Sequence, residues 1–104
     1  MHTQLQIEDG IAWLTIDDGR VNALSESLLR EIEARLDEAR AASVTAILGR
    51  PGIFSAGFDM ATFNRGAEAT VAMMQAGVEV IEKMLSHPRP IVAACTGHAY
   101  PMGA

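Results

Sequence analysis

Short apolar segments alternate along this chain with two long amphipathic helical patterns. The first helical pattern follows Ser25, and the second runs from about Ala67 to Ser86. An apolar stripe on a helix must be covered on folding, and strands that alternate with helices pack as a sheet with the helices against it. We therefore predict an α/β fold with parallel strand pairing, in the element order β-β-α-β-α-β.

Both helical patterns have recognisable ends and one apolar face. Ser25 is placed to cap the first helix, and the second ends at His87 because the residue before a proline, here Pro88, disfavours the helical conformation. The face predicted to be covered comprises Leu28, Leu29, Ile32, Leu36 and Ala39 in the first helix, and Val71, Met74, Val78, Ile81 and Leu85 in the second.

The strands are predicted from short apolar runs. Leu5 and Ile7 alternate with polar residues, and residues 8–10 (Glu-Asp-Gly) fit a hairpin turn that leads into a second strand at residues 11–16. Further strands are predicted at residues 45–48 and 90–94, each just before a segment that contains glycine and proline.

Composition excludes several classes of protein. The chain has 104 residues, enough for one small domain, and its 49% apolar and 20% charged residues argue against disorder. A formal net charge of −5 disfavours nucleic acid or an anionic membrane surface as the main partner. No targeting segment or membrane-spanning run is visible, and the single cysteine, Cys95, fits a reducing compartment. We expect a cytoplasmic protein.

The stretch from Phe54 to Met60 is predicted to form a turn between a strand and a helix. Gly57 supplies the backbone freedom for this turn, and Asp59 can accept hydrogen bonds from the first N–H groups of the helix. The N–H of Phe58 lies between them and need not join a strand ladder. A backbone donor at such a turn can stabilise an oxyanion, although an ordinary connection with a good N-cap fits the same residues.

A second turn of this kind is predicted after residues 90–94. Gly97 lies in the turn, and Pro101 can open a helix as its first residue. Met102 would then carry one of the unpaired N–H groups at the start of that helix. Together the N–H groups of Phe58 and Met102 can form a clamp with two donors for an anion.

Three blocks in this order resemble the crotonase (enoyl-CoA hydratase/isomerase) superfamily. They are residues 21–25 (Val-Asn-Ala-Leu-Ser), residues 54–60 and residues 89–99. The resemblance covers nearly all of the chain and corresponds to the N-terminal half of that family. It implies a crotonase-like β-β-α spiral that is incomplete here, with residues 1–104 as the N-terminal part of a single domain.

The resemblance also implies a chemistry. Members of the family process acyl-coenzyme A and hold the thioester oxygen between two backbone N–H groups while an enolate-like intermediate forms. By position these donors are Phe58 and Met102, although this chain has Pro101-Met102-Gly103 where the family usually has a run of glycines. Coenzyme A is expected as part of the substrate, with no permanently bound cofactor and no metal. The positions expected to contact coenzyme A or the acyl group are Arg20, Val21, Ala23, Ala56, Phe58, Asp59, Met60, Tyr100 and Gly103.

The exact reaction stays open at this point. The catalytic carboxylates of the family usually lie beyond the glycine-rich run, so residues 1–104 hold only the polarising half of an active site. An enoyl-CoA hydratase or isomerase is expected. The alternatives are a related activity (double-bond isomerase, thioester hydrolase, decarboxylase or dehalogenase) and a catalytically silent binding module of the same fold. The full-length protein is expected to form a homotrimer or hexamer, and residues 1–104 alone are expected to be poorly soluble or partly molten.

Overall fold

The computed structural model describes residues 2–19, 22–50, 52–55, 57–94 and 97–99. Within these ranges the helices are α1 (Glu26–Glu38), α2 (Met60–Phe63) and α3 (Ala67–Ser86). The strands are β1 (Thr3–Glu8), β2 (Ile11–Ile16), β3 (Ala23–Leu24), β4 (Val44–Leu48), β5 (Gly52–Ser55), β6 (Gly57–Phe58), β7 (Ile91–Ala94) and β8 (Gly97–Ala99). No helix in the described ranges is long and apolar enough to cross a membrane.

The main sheet has the strand order β1-β2-β4-β7. Strands β1 and β2 form an antiparallel hairpin, and Asp9 and Gly10 at its turn have φ angles of 51° and 79°, positive at both positions as a type I′ hairpin turn requires. Strands β2, β4 and β7 pair in parallel. The predicted α/β fold with parallel pairing is therefore confirmed, and α1 and α3 lie in the connections between the parallel strands.

The core lies between one face of the main sheet and the two long helices. Ser25 caps α1, its hydroxyl accepting a hydrogen bond of 3.2 Å from the Leu28 N–H. The predicted apolar face of α1 is buried in full, as the sequence indicated. The core cluster includes Leu14, Ile16 and Ile47 from the sheet, Leu28, Leu29, Ile32 and Leu36 from α1, and Met73, Ala76 and Val80 from α3.

Two ion pairs join α1 to α3 at the surface. The Lys83 Nζ lies 2.6 Å from the Asp37 Oδ1, and the Arg30 guanidinium contacts the carboxylate of Glu79. The hydrogen bond from Arg30 lowers the pKa of Glu79. Because the folded-state pKa is lowered, the Glu79 contribution to stability is present at neutral pH and is lost as the pH falls and this carboxylate becomes protonated.

The apolar face that the sequence predicted for α3 is not the covered one. Its residues Val71, Met74, Val78, Ile81 and Leu85 are between 45% and 83% exposed, whereas Met73, Ala76, Gly77 and Val80 are buried. The helix therefore carries two apolar stripes. The small residues in the buried stripe allow close packing, but periodicity alone gives them less weight than the larger side chains.

The second face of the main sheet is also partly uncovered. Trp13, Ala46 and Val92 lie side by side across β2, β4 and β7, and Trp13 and Val92 are 38% and 54% exposed. Parallel sheets are normally covered on both faces, and exposed apolar patches mark surfaces that bind other polypeptide. The sheet and α3 thus each present an apolar surface beyond the core.

Removing the Thr45 hydroxyl should stabilise the fold. Thr45 is fully buried in β4, and its hydroxyl has no hydrogen-bond partner among the residues that the structure describes. Such a group costs roughly 1–3 kcal/mol. Thr45→Val keeps the shape of the side chain, so we expect it to raise the free energy of unfolding by about 1 kcal/mol, as measured by chemical denaturation. Thr15→Val, on a partly exposed residue of β2, is the matched control, and a destabilised Thr45→Val protein would contradict the prediction.

Candidate functional site

A buried asparagine organises the first loop of the site. Asn22 has no exposed surface and a φ of 53°, a left-handed conformation that asparagine tolerates better than most residues. Its Nδ2 donates to the Ile16 carbonyl at 2.8 Å, and its Oδ1 accepts from the Asp18 N–H at 3.0 Å. The Asp18 carboxylate accepts in return from the N–H groups of Asn22, at 3.0 Å, and Ala23, at 3.3 Å. These bonds fix the positions of Asp18 and Asn22 between β2 and β3.

Ser55 connects this loop to the second turn of the site. Its buried hydroxyl donates to the Asn22 carbonyl at 2.8 Å and accepts from the Gly57 N–H at 3.0 Å. Gly57 has a φ of 84°, which residues with a side chain rarely adopt. This confirms the prediction that Gly57 supplies the backbone freedom of the turn.

The N–H of Phe58 points away from the strand that pairs with it. Strands β3 and β6 pair in parallel, with Leu24 opposite Phe58, and the Asp59 N–H donates to the Leu24 carbonyl at 3.1 Å. Because successive N–H groups of a paired strand alternate between its two sides, the Phe58 N–H is directed to the side opposite β3. The side chain of Phe58 packs against the main core. The packed side chain holds Phe58 in place, while its backbone N–H takes no part in the β3–β6 pairing.

Asp59 is an N-cap, as predicted. Its Oδ1 accepts from the Ala61 N–H at 3.3 Å, and its Oδ2 accepts from the Thr62 hydroxyl at 2.9 Å. The helix that it caps, α2, has only four residues, and Met60 at its start is 71% exposed. Both carboxylate oxygens of Asp59 are therefore engaged in holding the turn after Phe58.

A cavity of about 360 Å³ opens beside these loops. It is bounded by the loop after β2, by the start of α1 and by α2. Of the positions expected to contact coenzyme A, Ala23 and Asp59 line it, whereas Phe58 and Met60 are not among its lining residues. The other lining residues include Asp18, Ser25, Leu28 and Ala61. Within the described ranges no cluster of three or more potential metal ligands occurs.

Several predicted site residues lie outside the described ranges. They are Arg20, Val21, Ala56, Tyr100, Met102 and Gly103. The second proposed donor, Met102, and the helix start predicted at Pro101 therefore remain predictions.

The turn predicted at Gly97 is a strand instead. Residues 97–99 form β8, which pairs in parallel with β5 and places Ser55 opposite Ala99. Three residues are too few to show the alternation that marks a strand in the sequence. The correction bears on the site, because two parallel strands end on the same side. The end of β5, which precedes Phe58 in the chain, therefore lies on the same side as the end of β8.

Sequence reasoning missed the structural roles of Asn22 and Ser55. In the sequence, Asn22 stands out only as part of residues 21–25, and Ser55 only as part of residues 54–60. The available signal was the pairing of an aspartate with an asparagine four residues later, since both side chains readily bond to nearby backbone. For Ser55 the contact is 33 residues away in the chain, so no local pattern indicates it.

The family follows from comparison with known proteins. Residues 6–104 match the sequence model of the enoyl-CoA hydratase/isomerase family. The chain belongs to that family. This confirms the crotonase resemblance, and three-dimensional comparison agrees. The crystal structure of an enoyl-CoA hydratase/isomerase family protein from Pseudomonas syringae superposes with a TM-score of 0.92 at 38% identity, covering 98% of this chain and 45% of that one.

The curated relatives that this chain matches are considerably longer than the chain itself. The chain is 35% identical over 100 residues to a probable enoyl-CoA hydratase of Bacillus subtilis, covering 91% of this chain and 39% of the relative. It is 39% identical over 99 residues to a probable enoyl-CoA hydratase of Mycobacterium avium, covering 90% of this chain and 38% of the relative. The chain thus spans about two fifths of these proteins and represents part of the crotonase fold.

Proposed function

We propose that this chain supplies the polarising part of an acyl-CoA active site of the enoyl-CoA hydratase type. The backbone N–H groups of Phe58 and Met102 bind the thioester oxygen and stabilise the negative charge of an enolate. The observation that carries the proposal is the Phe58 N–H, which points out of the β3–β6 pairing at a turn held by Gly57 and Asp59. Membership of the family supports the substrate class.

The chemistry needs donors at the carbonyl oxygen. When water adds to the double bond of an enoyl thioester, or a proton leaves the carbon beside the carbonyl, charge moves onto that oxygen. Backbone donors aimed at this position stabilise the transition state, and removing one such donor typically costs about 100-fold to 1,000-fold in rate. The parallel β5–β8 pair supports the proposal, since β5, which precedes Phe58, and β8, which precedes Met102 in the chain, run in the same direction.

The coenzyme A portion of the substrate is proposed to lie along the first loop and the turn after Phe58. Ala23 and Asp59 line the cavity there, and Arg20, Val21, Ala56, Met60, Tyr100 and Gly103 complete the proposed contacts. With a net charge of −5 the chain does not attract a polyanion as a whole, so local donors must hold the phosphates. The full-length protein is proposed to act as a homotrimer or hexamer.

The test is an assay of the full-length protein that contains this chain. Short-chain and long-chain enoyl-CoA thioesters are supplied in turn, and loss of the conjugated double bond is followed by its absorbance. Acyl-CoA binding is measured separately by calorimetry. We expect binding and hydration. Binding without hydration would indicate a related activity or a silent binding module, and the absence of acyl-CoA binding would contradict the proposal.

A further inference from the structure

Ser55 touches both loops that frame the Phe58 amide. Its side chain is 2% exposed, and both hydrogen-bonding functions of its hydroxyl are used: the O–H donates to the Asn22 carbonyl at 2.8 Å, and the oxygen accepts from the Gly57 N–H at 3.0 Å. The Asn22 end is rigid, because that residue is fully buried and bonded to the Ile16 carbonyl and to Asp18. The hydroxyl therefore ties the Gly57 amide to a fixed loop.

The hydrogen bond from the Gly57 N–H to Ser55 restricts the direction of the Phe58 N–H. That N–H belongs to the peptide group between Gly57 and Phe58. The peptide group before it is held through the Gly57 N–H by Ser55, and the one after it is held through the Asp59 N–H by the Leu24 carbonyl, at 3.1 Å. Gly57 itself offers little steric restraint, since it lacks a Cβ. Two flanking hydrogen bonds thus set the plane of the peptide group that carries the donor.

We propose that Ser55 is a positioning residue that orients the Phe58 N–H toward the thioester oxygen of the substrate. The inference rests on the proposed function. Ser55 is buried behind the turn and acts through the backbone. Without its hydroxyl, the Gly57–Phe58 peptide group can rotate about the flexible Gly57, and the donor no longer aims at a fixed point. A displacement of about 1 Å of a positioned group can cost roughly 100-fold in rate.

The test measures polarisation of a bound carbonyl in the full-length protein. An aryl-acryloyl-CoA thioester absorbs at longer wavelength when hydrogen bonds draw electron density onto its carbonyl oxygen. The size of this shift on binding reports the donors directly and does not require turnover. It is recorded together with kcat and KM for wild type, Ser55→Ala and Ser55→Thr. Ser86→Ala is the matched control, because among the described residues the Ser86 hydroxyl bonds only to carbonyls of its own helix.

We expect Ser55→Ala to lose at least half of the shift and to lower kcat about tenfold or more, with KM changed less than threefold. Ser55→Thr restores the hydroxyl and should recover most of the shift, and Ser86→Ala should match wild type. A folded Ser55→Ala protein with the full shift and wild-type kcat would overturn the inference. If Ser55→Ala does not fold, Ser55→Cys replaces it in the test, since a thiol is of similar size but is a weak hydrogen-bond donor and acceptor. A folded Ser55→Cys protein with the full shift and wild-type kcat would then overturn the inference. Failure of the proposed function is distinguishable, because wild type itself would then show no shift.

Discussion

Replacing the backbone amide of Phe58 by an ester should lower kcat for enoyl-CoA hydration by about 100-fold or more. The ester keeps the Phe58 side chain and puts an oxygen, which cannot donate a hydrogen bond, in place of the N–H. Because this N–H points away from β3, its loss breaks no hydrogen bond of the β3–β6 pair. The change should therefore act on the transition state, where charge develops on the thioester oxygen, and much less on KM. Chemical ligation or incorporation of the hydroxy acid supplies the variant, and steady-state kinetics measures it.

Two companion variants separate the backbone donor from the side chain. Phe58→Ala keeps the N–H and should act through pocket shape, since the ring packs partly against the core. Met102→Pro removes the second proposed donor and should also lower kcat by about 100-fold or more. An ester variant as active as wild type, or a Phe58→Ala variant as damaged as the ester, would count against the backbone role.

Val80→Glu should unfold the chain, whereas Val78→Glu should not. Val80 is 4% exposed and belongs to the core cluster, so a carboxylate there is buried without a partner at a cost of several kcal/mol. Val78 lies two residues away on the exposed stripe and is 53% exposed. There a carboxylate breaks up an apolar surface, and we expect more soluble protein with the fold retained.

Both variants are made in the chain of residues 1–104. Circular dichroism melts measure how much structure each one retains, and the soluble yield measures its solubility. The unmodified chain should be poorly soluble because its stripe of Val71, Met74, Val78, Ile81 and Leu85 is open to solvent. A greater loss of structure in Val78→Glu than in Val80→Glu would contradict the account, because it would mean that α3 packs on the face predicted from its periodicity.

Some elements follow from the sequence because one signal dominates in each of them. Helix α1 has a single apolar stripe and a serine cap, so both its start and its buried face could be predicted. The turn around Gly57 and Asp59 could be predicted for a similar reason, since positive φ and N-capping each favour particular residue types.

Other elements depend on contacts that no local pattern encodes. Helix α3 has two apolar stripes, and the choice between them depends on how closely the small residues Ala76 and Gly77 approach their neighbours. Strands β3, β6 and β8 have two or three residues each, too few for any periodicity. They are held by hydrogen bonds between distant segments, such as the one from the Asp59 N–H to the Leu24 carbonyl. The part of the site that positions the donor therefore appears only in three dimensions.

The most direct test of the account is a crystal structure of the full-length protein with a bound acyl-CoA thioester. We predict that the backbone nitrogens of Phe58 and Met102 each lie about 3 Å from the thioester oxygen, with both N–H groups directed at it. Nitrogens more than about 4 Å from that oxygen, N–H groups that diverge, or a Phe58 N–H bonded within a strand pair would contradict the account.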